Sequence, residues 1–136
     1  MGFFASSRYA VVGASADREK YGNKVLRWYV ERGLAVTPVN PRADAIEGLA
    51  CAASLAALGL DAAGMRATSV SVVTPPHASA AVLREAARLG IRYVWFQPGS
   101  EPPDFAQLAA ELSVHVLGNG ACILVEGAGL LARSKL

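Results

Sequence analysis

The stretch YAVVGASADREKYGNKVL, residues 9–26, is an apolar run that breaks at Gly13, passes through a small-residue turn and resumes as a helical pattern. Strand, tight turn and helix in that order is how a nucleotide-binding unit begins. The dinucleotide fingerprint G-x-G-x-x-G is nevertheless not met, because Ser15 stands at the second glycine position and Arg18 at the third. The loop up to Gly22 is also longer than a standard dinucleotide turn. Gly13 allows a tight bend and a close approach of backbone to a phosphate, and Ala14 and Ser15 are small enough to leave their N–H groups accessible. Taken alone, Gly13 is equally consistent with the plain end of a strand.

Outward from this stretch, apolar runs alternate with helical patterns. A first strand spans Arg8 to Gly13, and a helix covers roughly Asn23 to Arg32, with Val25, Leu26, Tyr29 and Val30 on one face. Gly33 sits where a helix stops. LAVTPVNP (34–41) predicts a second strand, ended by prolines that cannot extend a buried ladder. Residues 43–68 show less pattern: SLAALGL (54–60) predicts one short helix inside a loop, and DAAGMRAT (61–68) carries little periodicity.

SVSVVTPP (69–76) is a β-branched strand stopped by Pro75 and Pro76, and ASAAVLREAARLG (78–90) is an amphipathic helix ending at Gly90. IRYVWF (91–96) supplies a fourth strand. PPDFAQLAAEL (102–112) predicts a helix with prolines in its first turn, SVHVLG (113–118) a fifth strand, and the tail from Cys122 a final short helix. Near-continuous apolar strands separated by helices predict a mainly parallel five-stranded sheet covered on both faces. Right-handed crossovers make it a doubly wound, Rossmann-like α/β fold. No internal repeat or linker divides the chain, so residues 1–136 form one expected domain.

Bulk composition agrees. The 136 residues suffice for one core, and 53% are hydrophobic. A net charge of +2 and the absence of a basic run argue against nucleic acid. No apolar stretch approaches the ~18 residues of a membrane span, and MGFFASSRYA lacks the basic start and long apolar region of a signal peptide. MGFFAS matches a myristoylation pattern only weakly. The two cysteines, Cys51 and Cys122, have neither CxxC nor metal spacing, so a reduced, cytoplasmic protein with both in the core is expected.

In such sheets ligands bind outside the carboxyl ends of the strands. The residues there are Gly13 to Ser15, Asn40 to Arg42, Thr74 to Pro76, Gln97 to Ser100 and Gly118 to Gly120, all small, polar or rigid. An NAD site wants an acid about 20 residues after the first glycines. Here stand Val39, Asn40, Pro41 and Arg42. A guanidinium suits the phosphate monoester on the ribose of NADP or coenzyme A, although a lone arginine also serves as a solvated surface group. Arg18, Lys20 and Lys24 either neutralise a diphosphate or solvate the loop. His77 and His115 have no Cys or carboxylate at ligand spacing, and HAS (77–79) reads as a cap of the third helix. No G-x-S-x-G is present, and no constellation for catalysis is found. Cys122, close to Asn119, reads as packing before it reads as a reactive thiol.

Taken together, VVGAS, YGNKVLR, VTPVNP, VVTPP, GIRYVWFQPGS and GN..C, over nearly the whole chain, resemble the small CoA-binding domain proteins of bacteria. These are similar in fold to the CoA-binding N-terminal domain of succinyl-CoA synthetase alpha subunits. The resemblance implies a Rossmann-type domain that holds coenzyme A at the strand ends. The diphosphate region would fall on Gly13, Ala14, Ser15 and the loop after them, which carries Arg18 and leads to Lys24. The pantetheine path would fall along Thr74, Pro75 and Pro76 and along Phe96, Gln97, Pro98 and Gly99. The synthetases carry a lysine where this chain has Asn40, Pro41 and Arg42, so either Arg42 or a loop lysine replaces that charge. Their phosphorylated histidine lies in a second domain, and neither His77 nor His115 inherits its role.

The expected function is therefore binding of CoA or an acyl-CoA without catalytic chemistry of its own, the partner being that small molecule and neither nucleic acid nor membrane. A homo-oligomer or a role as partner subunit is compatible with this. The alternatives are an NADP- or other nucleotide-dependent enzyme, a redox-responsive regulator using Cys122, and a structural or oligomerising domain that has lost its ligand. Trp28, Trp95 and Tyr93 read as packing before they read as an interface.

Overall fold

A computed structural model describes residues 2–135. The elements run β1 (Arg8–Val12), α1 (Tyr21–Glu31), β2 (Val36–Val39), β3 (Ala45–Ile46), β4 (Leu49–Ala50), α2 (Ala62–Arg66) and β5 (Thr68–Val72). They continue with α3 (Pro76–Leu89), β6 (Tyr93–Phe96), α4 (Phe105–Leu112), β7 (His115–Leu117) and α5 (Ile123–Ser134). Short 3-10 turns occur at Phe3–Ala5 and Ala56–Leu58. Five strands pair in the order β2-β1-β5-β6-β7, every pairing parallel. The chain starts at β1, steps outward to β2, then crosses back to β5, so the order reverses between β1 and β5.

Period-2 alternation sends residues of one strand to opposite faces, and two cores result. Ala10, Val12, Val70, Val72, Val94 and Phe96 face α3 and α4 through Leu83, Ala86 and Ala109. Tyr9, Val11 and Trp95 face α1 and α5 through Val25, Leu26, Tyr29 and Ile123. This is the doubly wound sheet that the sequence predicts. On the second face β5 presents Ser69 and Ser71, both buried. Ser69 Oγ donates to the Phe3 carbonyl at 2.7 Å, and the Ser71 and Tyr29 hydroxyls pair at 2.7 Å. Buried hydroxyls cost stability unless paired, so these two pairs let β5 carry serines. Burial pushes the Tyr29 phenol well up and that of Tyr9 to about 12.

Four details depart from the sequence reading. Pro38 lies inside β2 rather than ending it, which an outer strand of the sheet tolerates. Residues 43–68 contain the β3–β4 hairpin, turned at Glu47 and Gly48 with φ of 51° and 77°, and a five-residue helix at Ala62–Arg66 capped by Asp61. The 54–60 segment forms only a 3-10 turn. Pro76 opens α3 after Pro75 as its N-cap, whereas the prolines before α4 precede its Asp104 cap. His77 and Ser79 thus lie within α3, and Ser79 Oγ reaches the Pro75 carbonyl at 3.2 Å and the Thr74 hydroxyl at 2.7 Å. The last helix is long, at 12 residues.

Two glycines set how the first turn closes. Gly13 has φ +91°, and a Cβ there would sit 2.1 Å from the Val73 carbonyl oxygen. A Cβ on Gly22 would sit 2.1 Å from the Gly13 carbonyl oxygen. Neither obstacle is a flexible side chain. Gly22→Ala is therefore expected to destabilise the protein by about 1–3 kcal/mol in urea unfolding. Gly129→Ala, exposed on α5 with nothing nearer than Arg133 at 3.6 Å, should instead stabilise by about 0.5–1 kcal/mol through helix propensity. Equal effects at the two sites would contradict the close-approach argument.

Candidate functional site

The order reversal between β1 and β5 opens a groove of about 840 Å³ outside the carboxyl ends of β1, β2 and β5. Parallel strands present such a crevice because their two crossovers leave on opposite faces. Its walls include Gly13, Ala14 and Ser15 after β1, Lys20, Tyr21 and Gly22 at the start of α1, Asn40, Pro41 and Arg42 after β2, and Thr74 and Pro75 after β5. Nine residues singled out from sequence, Lys20 among them, thus meet in one place.

The remaining seven do not line it. Arg18 is spent on an ion pair with Glu47 at 3.4 Å, and Lys24 is exposed on α1. Pro76 opens α3 beyond the groove wall. Phe96 is fully buried and stacks edge-on with Phe105 at 5.7 Å. Pro98 and Gly99 are exposed in the following turn, and Gln97 is buried beneath Tyr21. Residues that sequence reading had not singled out as lining include Tyr21, Ser54, Val82 and Glu85. The alternation of 45–50 is too short to mark a hairpin that delivers Glu47 to Arg18. Tyr21, however, stood in the quoted YGNKVL.

Side-chain amides build the groove floor. Asn40 Nδ2 donates to the Ala14 carbonyl at 2.9 Å, while its Oδ1 accepts from Arg42 N at 2.7 Å. Asn40 therefore ties the β1 turn to the β2 turn and shapes the bend that carries Arg42. Asn23, fully buried, donates to the Ser15 carbonyl at 2.8 Å and to Glu47 at 3.1 Å, and accepts from Arg27 at 2.7 Å. With those carbonyls bonded to the amides of half-buried Asn40 and buried Asn23, the small side chains of the turn leave its rim open. The N-terminus of α1 has no side-chain cap and no acid of its own in its first turn, and Lys20, Tyr21 and Gly22 there line the groove, so its positive dipole end lies at the groove. Glu85, on the far wall, accepts from Ala56 N at 3.3 Å.

Beyond the groove, the turns after β6 and β7 are clamped together. Glu101 accepts from Gly99 N at 2.9 Å and from Gly120 N at 3.0 Å. Burial alone would raise its pKa, but its own backbone N–H with those of Gly120, Gly99 and Ser100 outweighs burial and holds the carboxyl below its ordinary value. Trp95 Nε1 donates to the Ala121 carbonyl at 2.9 Å, and Gln97 Oε1 accepts from Ile123 N at 2.9 Å. Both cysteines are half-buried. Burial first, then Asp44, pushes the Cys51 thiol up, while Cys122 meets the Tyr21 hydroxyl. His115 stacks on Tyr93 at 5.1 Å and takes no part in the groove. Among the described residues no group of three His, Cys, Asp or Glu is placed to hold a metal ion, and no helix is long and apolar enough to cross a membrane.

A family model described as "CoA binding domain" matches residues 7–128. The chain belongs to that family. Among solved structures it is similar to a conserved hypothetical protein of Pyrococcus furiosus, at 36% identity and TM-score 0.76 over 88% of this chain and 97% of that one. It is also similar to a Thermus thermophilus protein solved as cell-free ID.343, at 31% identity and TM-score 0.76 over 94% and 93% of the two chains. A hypothetical protein from Pyrococcus horikoshii OT3 matches at 27% identity and TM-score 0.80, over 95% and 87%. No curated protein matches the chain. The family and the shared fold agree with a groove built at the switch point of a Rossmann-like sheet.

The lowered Glu101 pKa has a testable sign. A carboxyl depressed in the folded state contributes stability above its unfolded pKa, and that contribution is lost as pH falls through the folded value. Glu101→Gln should therefore cost about 1–2 kcal/mol at pH 7, with the gap to the native protein closing as pH drops below the ordinary carboxylate range. Urea unfolding at neutral and acid pH reads both. A gap that widens on acidification would sink the assignment.

Proposed function

We propose that the groove binds coenzyme A or an acyl-CoA and that the chain is a binding module without catalytic chemistry of its own. The observation that carries this reading is the pairing of a small-residue, uncapped phosphate turn (Gly13 to Ser15 with the start of α1) with Arg42, rather than an acid, after β2. A diphosphate beside the α1 N-terminus gains from the helix dipole and from Lys20. Arg42 is exposed on the groove rim, where its guanidinium fork suits a phosphate monoester on the ribose. A ribose hydroxyl pair would want the carboxylate that Asn40 and Arg42 do not supply.

The remaining arm of the ligand would run over Thr74 and Pro75 toward β6 and β7. Five strands about 4.8 Å apart span roughly 19 Å from β2 to β7, enough for an extended pantetheine arm. Membership in the CoA binding domain family supports the same ligand class.

Parallel calorimetric titrations with CoA, dephospho-CoA, NADP and NAD test this. CoA should bind saturably and dephospho-CoA about tenfold more weakly, while NAD gives no heat. Arg42→Ala should lower CoA affinity about tenfold and leave dephospho-CoA unchanged, as expected for loss of one charge-assisted contact. Binding of NADP with silence toward CoA would overturn the reading.

A further inference from the structure

Behind the groove wall lies a polar cluster that the rest of the fold does not use. Gln97, fully buried, follows β6, Cys122 precedes α5, and Tyr21 from α1 closes over both. The Tyr21 hydroxyl donates to Gln97 Oε1 at 3.4 Å and contacts Cys122 Sγ. Ile123 N–H, at the N-terminus of the 12-residue α5, donates to the same Oε1 at 2.9 Å. A backbone N–H can only donate, so this contact fixes which end of the Gln97 amide faces the helix. The amide nitrogen is left buried with no partner.

An unmet buried donor costs about 1–3 kcal/mol. Nε2 shares its carbon with the oxygen that accepts from the Tyr21 hydroxyl, so Tyr21 is the groove-wall residue in contact with this amide. Its phenol is held neutral, with its pKa raised by burial and by the Cys122 contact. Tyr21 thus belongs both to the wall of the open groove and to the surroundings of the unused hydrogen-bond donor.

We propose that Gln97 is a specificity residue for the acyl end of the ligand: its free Nε2–H donates to a thioester carbonyl, which reaches it when the Tyr21 side chain turns aside. This rests on the CoA reading above and extends it from the phosphates to the sulfur end. Placement along the sheet agrees. Lys20 and Arg42 mark the phosphate end on the β1–β2 side, and Gln97 and Cys122 lie after β6 and β7, where the arm of a ligand laid across the strand ends would finish. The donor has one unmet demand, an acceptor without a charge, and a thioester carbonyl supplies it while free CoA offers only a thiol there.

The experiment compares acetyl-CoA with S-ethyl-CoA, a thioether of nearly the same length that lacks the carbonyl. The native protein should bind acetyl-CoA about tenfold more tightly. Gln97→Glu keeps an acceptor for Ile123 N–H but loses the donor, and the ratio should fall to about one. Because that variant places a carboxylate in a buried site, a second readout uses the native protein. In nitrogen-15 spectra the Gln97 side-chain amide pair should move on adding acetyl-CoA and stay with S-ethyl-CoA, with Gln107, the other glutamine in the sequence, as an internal control. Equal affinities and an unmoved Gln97 amide, with CoA still binding saturably, would overturn this inference and leave the CoA reading standing. A Gln97 amide that moves equally with both ligands would assign the donor to a pantetheine amide and overturn the acyl assignment. Failure of every CoA species to bind would overturn both.

Discussion

The stacking of backbone on backbone at the first turn is the constraint on which the groove depends. The Gly13 Cα lies against the Val73 carbonyl at the end of β5, and the Gly22 Cα lies against the Gly13 carbonyl. The β1 turn, the start of α1 and the distant end of β5 are thereby held at distances that admit no side chain. Widening either contact by a methyl group would push α1 off the sheet or part β1 from β5. The crevice lies directly at that seam, so its shape is set by main chain and not by mobile side chains. This is how the chain closes a tight strand-to-helix turn without three glycines near one another: Gly22, outside the usual spacing, meets the helix–strand contact from within the first turn of α1.

Around that seam, side-chain amides and buried hydroxyls do the positioning. Asn23 and Asn40 each bond to a carbonyl of the first turn, at Ser15 and Ala14. Ser69 and Ser71 bind Phe3 and Tyr29 on the sheet face that α1 and α5 cover. Such groups gain little net free energy when paired and cost much when stranded, so they select one arrangement of the loops over others of similar apolar burial. Gln97 is half of this pattern. Its oxygen holds α5 through Ile123, while its nitrogen is stranded.

Much of the fold was legible because long periodic segments obey local rules. The five main strands, α1, α3 and α4 follow from alternation, apolar stripes and the stops at Gly33 and Gly90. Residues 43–68 were not, because two-residue strands and a five-residue helix are too short to show a period, and the hairpin depends on Glu47 adopting φ 51° beside Gly48. Pro38 misled for a related reason: its position within β2 is tolerable only because that strand lies on the outside of the sheet, a property of topology and not of local sequence.

The groove was legible in kind and less so in detail. Residues immediately after β1, β2 and β5 were placed together because strand ends point to one edge of a parallel sheet. Phe96 shows where that rule stops. It is the last residue of β6, its side chain takes the face of Val94, and alternation sends it into the α3–α4 core; the next residue, Gln97, takes the opposite face and the contact with Tyr21 and α5.

That one-residue step also divides the ligand problem in two. On the β1–β2 side the groove offers charge at its rim, with Lys20 and Arg42 exposed and the α1 N-terminus uncapped, and such contacts are screened by salt and tolerant of small displacements. On the β6–β7 side, outside the groove lining, stands one neutral donor on a buried amide, where water is excluded and hydrogen-bond geometry is strict. A ligand carrying phosphates at one end and a thioester at the other would meet affinity at the first and selection at the second. The two ends are positioned separately, Arg42 by the Asn40 turn and Gln97 by the α5 N-terminus, and Tyr21 is the residue that touches both the groove and Gln97.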